Sequence, residues 1–384
     1  MLAVVNAVLH PMEGEIIDGA TILIDAGRVV EVGTEGVEVP AGSQIIDASG
    51  RIVTPGLVDA HSHVGLVESG VGWEGSDADE SSDPVTAWAR ALDGFNPGDS
   101  ALAEMRASGV TCVNVLPGSA NVIGGAGVAV KCAGCVADQM VVKSPTCIKA
   151  VLGEVPKQVH GGKGRAPSTR MASAAALREA LQGARRHLEK CEGAEDPPRD
   201  RNAGALAPVL RGEIPLVIEC HRADDIVTAI RICREFGMDP VLDYATEAHR
   251  VMELLQDSGA HLAAGPMISS GIRPEERERS PQTPARLAVA GVPFCLMTDH
   301  PGTNGRYLAA GAGIAAGWGL DWQTALESIT IRAAEHIGVQ SRVGSISAGK
   351  DGDLVIWSGD PLEATTFADV AIIEGEVVYR REAM

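Results

Sequence analysis

Apolar and polar residues alternate in short pieces over the first fifty or so positions of the chain. The runs 2–5 and 21–24 are apolar, and the polar, glycine-containing segment 25–28 separates the second run from the next. Alternation with period two, bounded by turn residues, is typical of half-buried strands. Residues 1 to about 50 are therefore predicted to form a β-rich module.

The pattern changes from about residue 52 to about residue 340. Continuous apolar runs at 52–60, 110–116, 147–152, 215–220 and 240–244 read as strands that are buried on both faces. Amphipathic stretches follow some of them, and these predict helices over 224–236 and 245–257. Strands that alternate with helices at this spacing favour a parallel sheet.

Strand-like pieces return at 353–357 and 370–373. Both ends of the chain are therefore expected to build one small β domain beside the larger α/β domain, a division that fits 384 residues. The stretch from about 190 to 206 is charged, contains proline and has no periodicity, which predicts an exposed insertion between a helix and the next strand.

Charge and cysteine content narrow the function classes. The formal net charge of −19 and the pI of about 4.9 disfavour nucleic acid and anionic membranes as partners. No long apolar run and no secretory signal pattern is visible, so a cytoplasmic protein is expected. Cys132 and Cys135 have the spacing of half a zinc or redox site, but a structural role is favoured because no second pair follows at a workable distance.

His61 and His63 carry the strongest chemical signal. They follow the apolar run 52–60, and residues i and i+2 of a strand lie on the same face. Two imidazoles placed in this way can bind one metal ion, although two surface histidines in a loop would give the same spacing.

Two segments resemble the amidohydrolase superfamily. Residues 52–63 are similar to its first barrel strand, which reads Pro-Gly-Leu-Val-Asp-x-His-x-His, and residues 344–357 are similar to its return into a small β domain. The resemblance is strongest to imidazolonepropionase-like and N-acetylglucosamine-6-phosphate deacetylase-like enzymes. It implies a TIM-type (β/α)8 barrel over 52–340, a small β-sandwich domain from 1–51 and 341–384, and a homo-oligomer.

The same resemblance implies a ligand set. His221 follows the apolar run 215–220 where the superfamily has its fifth-strand ligand, and Asp299 follows 293–298 where it has its eighth-strand carboxylate. Asp299 would both touch the metal and take a proton from its water. His221 could instead be an ordinary polar residue, and Asp299 could cap a helix. Three imidazoles and a carboxylate suit zinc, with iron or manganese as alternatives.

A second ion would need further ligands. Glu154, after the run 147–152, is preferred as an additional metal ligand over Lys143, although some superfamily members use a carboxylated lysine as a bridge. Tyr244 stands where relatives have a sixth-strand histidine, and a phenol is a poor ligand at neutral pH. Asp243 is expected on the opposite strand face, and His249 could be a helix-surface residue. One ion is therefore favoured over two.

Substrate contacts are expected from the loops after the strands. Trp73 could form a wall of the pocket, and Arg170 and Arg222 could each clamp a carboxylate, although an ion pair with Asp224 or Asp225 fits these arginines equally. The complete set of predicted substrate-binding residues is Trp73, Asn121, Arg170, Arg222, Tyr244 and His300.

Three functions fit these observations. The first is a metal-dependent hydrolase of a small molecule with a non-peptide carbon–nitrogen bond, such as a cyclic amide or an N-acyl amine. The second is a deaminase-like enzyme of the same fold, favoured by a mononuclear ligand set. The third is a non-catalytic relative that serves as a binding or assembly module, for which the Tyr244 departure is the main support.

Overall fold

The computed structural model describes residues 1–34, 36–192, 199–269 and 273–382. The strands within these ranges are β1 (Leu2–Leu9), β2 (Ile17–Asp25), β3 (Arg28–Gly33), β4 (Gln44–Asp47), β5 (Ile52–Pro55), β6 (Leu57–Ser62), β7 (Val110–Val115), β8 (Ile123–Ala126), β9 (Val128–Lys131), β10 (Val141–Lys143), β11 (Ile148–Val151), β12 (Leu216–Cys220), β13 (Val241–Tyr244), β14 (His261–Ala264), β15 (Phe294–Leu296), β16 (Leu354–Trp357), β17 (Ala368–Ile373) and β18 (Glu376–Arg380).

The helices in the same ranges are α1 (Ala91–Gly94), α2 (Ser100–Ala107), α3 (Ala137–Met140), α4 (Glu154–Gly162), α5 (Arg170–Cys191), α6 (Arg201–Leu210), α7 (Ala223–Phe236), α8 (Met252–Ser258), α9 (Thr283–Val289), α10 (Leu308–Gly317), α11 (Trp322–Glu327) and α12 (Ile331–Ile337). Short 3-10 turns lie at Ala248–Arg250, Pro274–Glu276 and Gly305–Tyr307.

Both ends of the chain contribute to one eight-stranded sheet. Its order is β18-β17-β16-β5-β1-β2-β3, with β4 paired to β1. The strand pair β16 and β5 joins the two ends, with Leu354 opposite Pro55 in antiparallel register. The predicted strands 353–357 and 370–373 are confirmed as β16 and β17.

The apolar run 52–60 is divided between two sheets. Its first part, β5, belongs to the eight-stranded sheet, and its second part, β6, pairs with β7. Gly56 lies at the junction, where an added Cβ would collide with the Thr111 side chain. The chain therefore changes sheet at residue 56, four residues after residue 52, where the sequence pattern predicts that the larger domain begins.

The larger part of the chain is α/β with mixed sheets. A four-stranded sheet has the order β10-β9-β7-β6, and a six-stranded sheet has the order β15-β14-β13-β12-β11-β8. The pairs from β11 to β15 are parallel, as predicted, whereas β8 and β9 add antiparallel pairs that were not predicted. A parallel bridge between Ser62 and His300 links the two sheets.

Two predicted segments differ from the structure. The predicted helix 245–257 is a 3-10 turn followed by α8, because Tyr244 and Ala245 adopt positive φ angles of 68° and 42° and interrupt a regular helix start. The predicted irregular insertion 190–206 is shorter, since α5 continues to Cys191 and α6 begins at Arg201 behind the N-cap Asp200. The part of that insertion at 193–198 lies outside the described residues.

The core consists mainly of aliphatic side chains. Every residue of β6 and β7 is buried, as expected for strands covered on both faces. The sheet from the chain ends has its own apolar cluster, which includes Leu9, Ile22 and Leu354. Among the described residues, no helix is both long enough and apolar enough to cross a bilayer.

Candidate metal centre

Hydrogen bonds join the end of β6 to the segment that follows β15. The Asp299 N–H donates to the His61 carbonyl at 3.0 Å, and the His63 N–H donates to the His300 carbonyl at 2.8 Å. The Thr298 N–H also donates to the fully buried Asp59 carboxylate at 3.1 Å. These bonds hold Asp299 beside the two histidines, which are more than 230 residues away in sequence.

His61, His63 and Asp299 form a compact triad. One ligand atom from each lies within 4.8 Å of the others, and His63 Nε2 is 3.5 Å from Asp299 Oδ1. The two imidazole rings meet edge to face, with centroids 5.2 Å apart. This separation leaves room for one shared cation, since metal–ligand distances of about 2 Å place donor atoms about 3–4 Å apart.

Each histidine of the triad uses its Nδ1 for another contact. His61 Nδ1 lies 2.5 Å from Asp243 Oδ2, and His63 Nδ1 lies 2.7 Å from the Leu116 carbonyl. An acceptor at Nδ1 fixes the proton there and leaves Nε2 as a lone-pair donor, the usual arrangement around a metal-ligating histidine. Burial, and then the charge of Lys149, lowers the pKa of His61, which favours the neutral ring. The donors present therefore fit a divalent ion of the zinc type.

Asp299 occupies an unusual backbone position. Its φ of 57° lies in the left-handed region, which is uncommon for residues other than glycine and which is enriched at functional sites. Burial acts to raise its pKa, but the hydrogen bond and charge of His63, together with His61 and the Tyr244 hydroxyl, hold that pKa below its usual value. Asp299 is thus presented as a carboxylate.

Tyr244 is part of the same site. Its ring is centred 5.2 Å from the His61 ring and 4.5 Å from the His221 ring. Burial, and then the negative charges of Asp299 and Glu219, raises the pKa of Tyr244 well above its ordinary value. The side chain is therefore a neutral phenol that hydrogen-bonds to Asp299.

His221 is close to the triad but outside it. Its Nδ1 contacts Thr246 Oγ1 at 2.9 Å, while Nε2 is buried and has no hydrogen-bond partner among the described residues. Glu219 Oε1 lies 3.7 Å from His221 Nε2 and likewise has no hydrogen-bond partner among the described residues. The sequence predicts four converging ligands, and the structure brings three of them together within 4.8 Å among the described residues. The His221 imidazole packs against the Tyr244 ring instead.

The sequence motifs do not single out Lys149 or Glu219 as site residues. Both side chains are fully buried, and Lys149 Nζ lies 3.0 Å from Glu219 Oε2 and 3.3 Å from His61 Nε2. Ser119 Oγ donates to Glu219 Oε2 at 2.6 Å. A lysine in the middle of an apolar run that reads as a fully buried strand was the available signal, since lysine is almost never buried without a partner.

Glu154, the preferred additional ligand, is not in the triad. It is the first residue of α4, where its backbone N–H donates to Glu275 Oε2 at 2.8 Å. The helix start directs this residue toward the Pro274–Glu276 turn. Lys143 is half-buried on β10, with Nζ 3.5 Å from the Ile337 carbonyl. The metal-ligand group found among the described residues contains neither of them.

Several predicted substrate contacts have other roles in the structure. Trp73 is 92% exposed, so it does not form a pocket wall. Asn121 is buried and bonded to the Glu80 carbonyl, Thr86 and His160, which uses both ends of its amide.

The two arginines are engaged in ion pairs, the alternative that the sequence left open. Arg170 pairs with Asp224 at 2.6 Å and Asp225 at 3.3 Å, and Arg222 contacts both oxygens of Asp224 at 3.1 and 3.3 Å. His300 is buried next to the triad, where its Nδ1 accepts from the Gly305 N–H at 3.3 Å and its Nε2 has no partner among the described residues.

Comparisons with known proteins show which proteins this chain is similar to. The amidohydrolase family matches residues 200–378. The crystal structure of an amidohydrolase from Thermotoga maritima MSB8 is 37% identical, with a TM-score of 0.95 over 99% of this chain and 100% of that chain.

Two curated relatives match over most of the chain. The amidohydrolase tasK of Hapsidospora irregularis is 31% identical over 375 residues, which is 89% of this chain and 38% of tasK. The imidazolonepropionase of Acidiphilium cryptum is 28% identical over 397 residues, 91% of this chain and 89% of that enzyme. The chain therefore spans well under half of tasK but most of the second relative.

Proposed function

Because the chain belongs to the amidohydrolase family, we propose that it is a metal-dependent hydrolase of a small molecule with a carbon–nitrogen bond other than a peptide bond. The substrate class is a cyclic amide, an N-acyl amine or a similar compound. One observation carries the proposal: His61, His63 and Asp299 converge within 4.8 Å, with both histidines hydrogen-bonded through Nδ1.

One ion is proposed rather than two. His61, His63 and Asp299 would hold the ion. His221, the fourth predicted ligand, has a buried Nε2 without a hydrogen-bond partner among the described residues. Tyr244 and Lys149 also lie beside His61, and a neutral phenol and an amine paired with Glu219 are poor metal ligands. Nitrogen and oxygen donors in this ratio favour zinc, with iron or manganese as alternatives.

The chemistry divides among residues of this chain. When bound, the ion would supply a water of lowered pKa and polarise the carbonyl or amidine group of the substrate. Asp299, a buried carboxylate, would accept the proton of that water and deliver it to the leaving nitrogen. The neutral Tyr244 phenol would orient Asp299 by its hydrogen bond, and the Nδ1 contacts of His61 and His63 would hold both rings in place.

We also propose that the four- and six-stranded sheets close into the (β/α)8 barrel of the family, beside a small β-sandwich domain from both chain ends. The Ser62–His300 bridge and the bonds from Asp299 to His61 support closure between β6 and β15. The family places its site at the carboxyl ends of barrel strands, where His61 and Asp299 lie. Homo-oligomeric assembly and a cytoplasmic location stay predictions from the sequence.

Metal analysis of the purified chain tests the proposal first. We expect about one equivalent of zinc, iron or manganese in the wild type and loss of the ion in His63→Ala. His187→Ala is the matched control, since His187 lies on the surface of α5 with Nε2 3.5 Å from Cys191 Sγ. A wild-type chain that binds none of these metals would contradict the proposed function and favour the binding-module alternative.

Product analysis then separates hydrolysis of an amide from deamination. A panel of cyclic amides and N-acyl amines is followed by carboxylate release, and a panel of amino-heterocycles is followed by ammonia release. We expect carboxylate release that Asp299→Asn abolishes while the metal stays bound by the histidines. Ammonia release alone would favour the deaminase-like alternative, and full activity in Asp299→Asn would refute the assigned role of this carboxylate.

A further inference from the structure

The carboxylate behind His61 is shared with a second histidine. Asp243 Oδ2 lies 2.5 Å from His61 Nδ1, and Asp243 Oδ1 lies 3.2 Å from His336 Nε2. We propose that His336 is a positioning residue of the metal centre, which acts on His61 through Asp243. The inference rests on the proposed function, because it concerns the same ion.

The side chains of the His61–Asp243–His336 relay are largely buried. His61 and Asp243 have no exposed surface, and the side chain of His336 is 5% exposed. A buried carboxylate is costly unless its oxygens accept hydrogen bonds, and each oxygen of Asp243 has one imidazole partner. Both contacts therefore contribute to where the carboxylate sits.

The three members of the relay come from three elements, β6, β13 and α12. His61 lies near the carboxyl end of β6, whereas His336 lies on α12, which packs against β6 and β15. His336 lines two cavities of about 500 and 560 Å³. The walls of these cavities include the first residues of β12, β14 and β15, namely Leu216, His261 and Phe294.

The direction of the hydrogen bonds gives His336 its effect. His336 donates from Nε2 to Oδ1, which limits rotation of the Asp243 carboxylate and keeps Oδ2 toward His61 Nδ1. A fixed acceptor at Nδ1 keeps the proton there and the lone pair of Nε2 directed into the triad. Without His336, the carboxylate has a single imidazole partner and can turn away from His61.

No local sequence pattern indicates the contact between His336 and Asp243. Asp243 was expected on the strand face opposite the ligand position, and that orientation makes it unsuitable as a ligand but suitable as a support behind one. His336 lies 93 positions further along the chain. Only the packing of α12 under β6 brings its ring to the free oxygen of Asp243.

The test measures metal affinity in three variants. His336→Leu removes the donor, and His336→Gln places an amide N–H at about the same reach. His261→Leu is the matched control, because His261 lines the same two cavities but pairs with Val241, two residues before Asp243. Dissociation constants for zinc come from chelator competition, and the visible spectrum of the cobalt-substituted protein reports ligand geometry.

We expect about 10-fold weaker metal binding in His336→Leu, the lower end of the range for lost outer-shell partners. His336→Gln should bind within about twofold of wild type, with an unchanged cobalt spectrum, and so should His261→Leu. Equal affinity of His336→Leu and wild type, or equal losses in the leucine and glutamine variants, would overturn the positioning role.

Two outcomes separate this inference from the proposed function. If the wild-type chain binds no metal, the proposed function itself is refuted. If the wild type binds metal but substitutions of His336 leave its metal affinity unchanged, only the role of His336 is refuted. If His336→Leu does not fold, His336→Asn replaces it, because its shorter amide does not reach Asp243. Matching affinities of the asparagine and glutamine variants would then refute the inference.

Discussion

Removal of the Lys149 charge is the most informative single perturbation of this site. In Lys149→Met the cation is lost while the Glu219 carboxylate stays buried, 0% exposed, on β12. Burial acts to raise the pKa of Glu219, but Lys149, followed by His221 and Arg273, holds it well below the ordinary value. The native protein therefore contains an ionised carboxylate that depends on a nearby cation.

The contacts of the pair set the magnitude. Lys149 Nζ and Glu219 Oε2 are 3.0 Å apart, and removal of one partner from such a buried pair costs about 3–5 kcal/mol. Glu219 would keep its bond from Ser119 Oγ at 2.6 Å and the more distant Arg273 guanidinium at 3.8 Å. We therefore expect Lys149→Met to lower the free energy of unfolding by about 3 kcal/mol, the lower end of that range.

The assay is urea unfolding of the metal-free protein, followed by circular dichroism. The double variant Lys149→Met/Glu219→Gln removes both charges and keeps an acceptor and donor for Ser119. It should be at least about 2 kcal/mol more stable than Lys149→Met alone, because replacing both members of a buried pair is often close to neutral. Lys143→Met on β10 is the control, since Lys143 is only half-buried and contacts a backbone carbonyl.

Two results would refute this reasoning. A loss below about 1 kcal/mol in Lys149→Met would show that the carboxylate is satisfied without the lysine. A double variant no more stable than the single variant would show that the loss comes from packing of the lysine stem rather than from an uncompensated charge.

Three further predictions concern other parts of the chain. Burial, opposed by hydrogen bonds from Thr298, raises the pKa of Asp59 to about 7. The contribution of Asp59 to stability is therefore full below its unfolded pKa of 3.8 and is lost as the pH rises through about 7. In urea unfolding, the metal-free wild type should lose roughly 2–3 kcal/mol of unfolding free energy relative to Asp59→Asn between pH 5 and pH 8. Parallel pH profiles of the two proteins would contradict this prediction. Trp73→Ala should change the unfolding free energy by less than about 0.5 kcal/mol and leave metal affinity unchanged, because the side chain is 92% exposed, and a larger change would place Trp73 in a contact that the structure lacks. Gly125→Ala in β8 should destabilise by at least about 2 kcal/mol in the same assay, because Gly125 has a φ of +132° and an added Cβ would collide with the Ala89 carbonyl. Wild-type stability of this variant would mean that β8 or the segment at Ala89 can shift at little cost.

Much of the fold was predictable from the pattern of apolar residues. β5, β7, β12, β13 and β16 all lie within predicted apolar runs and β6 begins within one, because a strand buried on both faces requires a continuous apolar sequence. The helix over 224–236 is confirmed as α7, which ends at Gly237 in the left-handed conformation. The sequence does not predict the antiparallel strands β8 and β9, because β8 has a glycine-containing sequence that is equally typical of a turn and β9 has only four residues.

The sequence by itself indicated that His61 and His63 lie next to each other at the end of one strand and that Asp299 follows another strand, because these features depend only on local alternation and on neighbouring residues. The tertiary structure decided that Lys149, Asp243 and His336 surround His61, since each comes from a different element and reaches the site only through packing. It also decided that Tyr244 lies against His221. Local periodicity fixes the direction of a side chain relative to its own backbone, whereas its partners depend on how distant strands and helices are placed, which only the folded chain specifies.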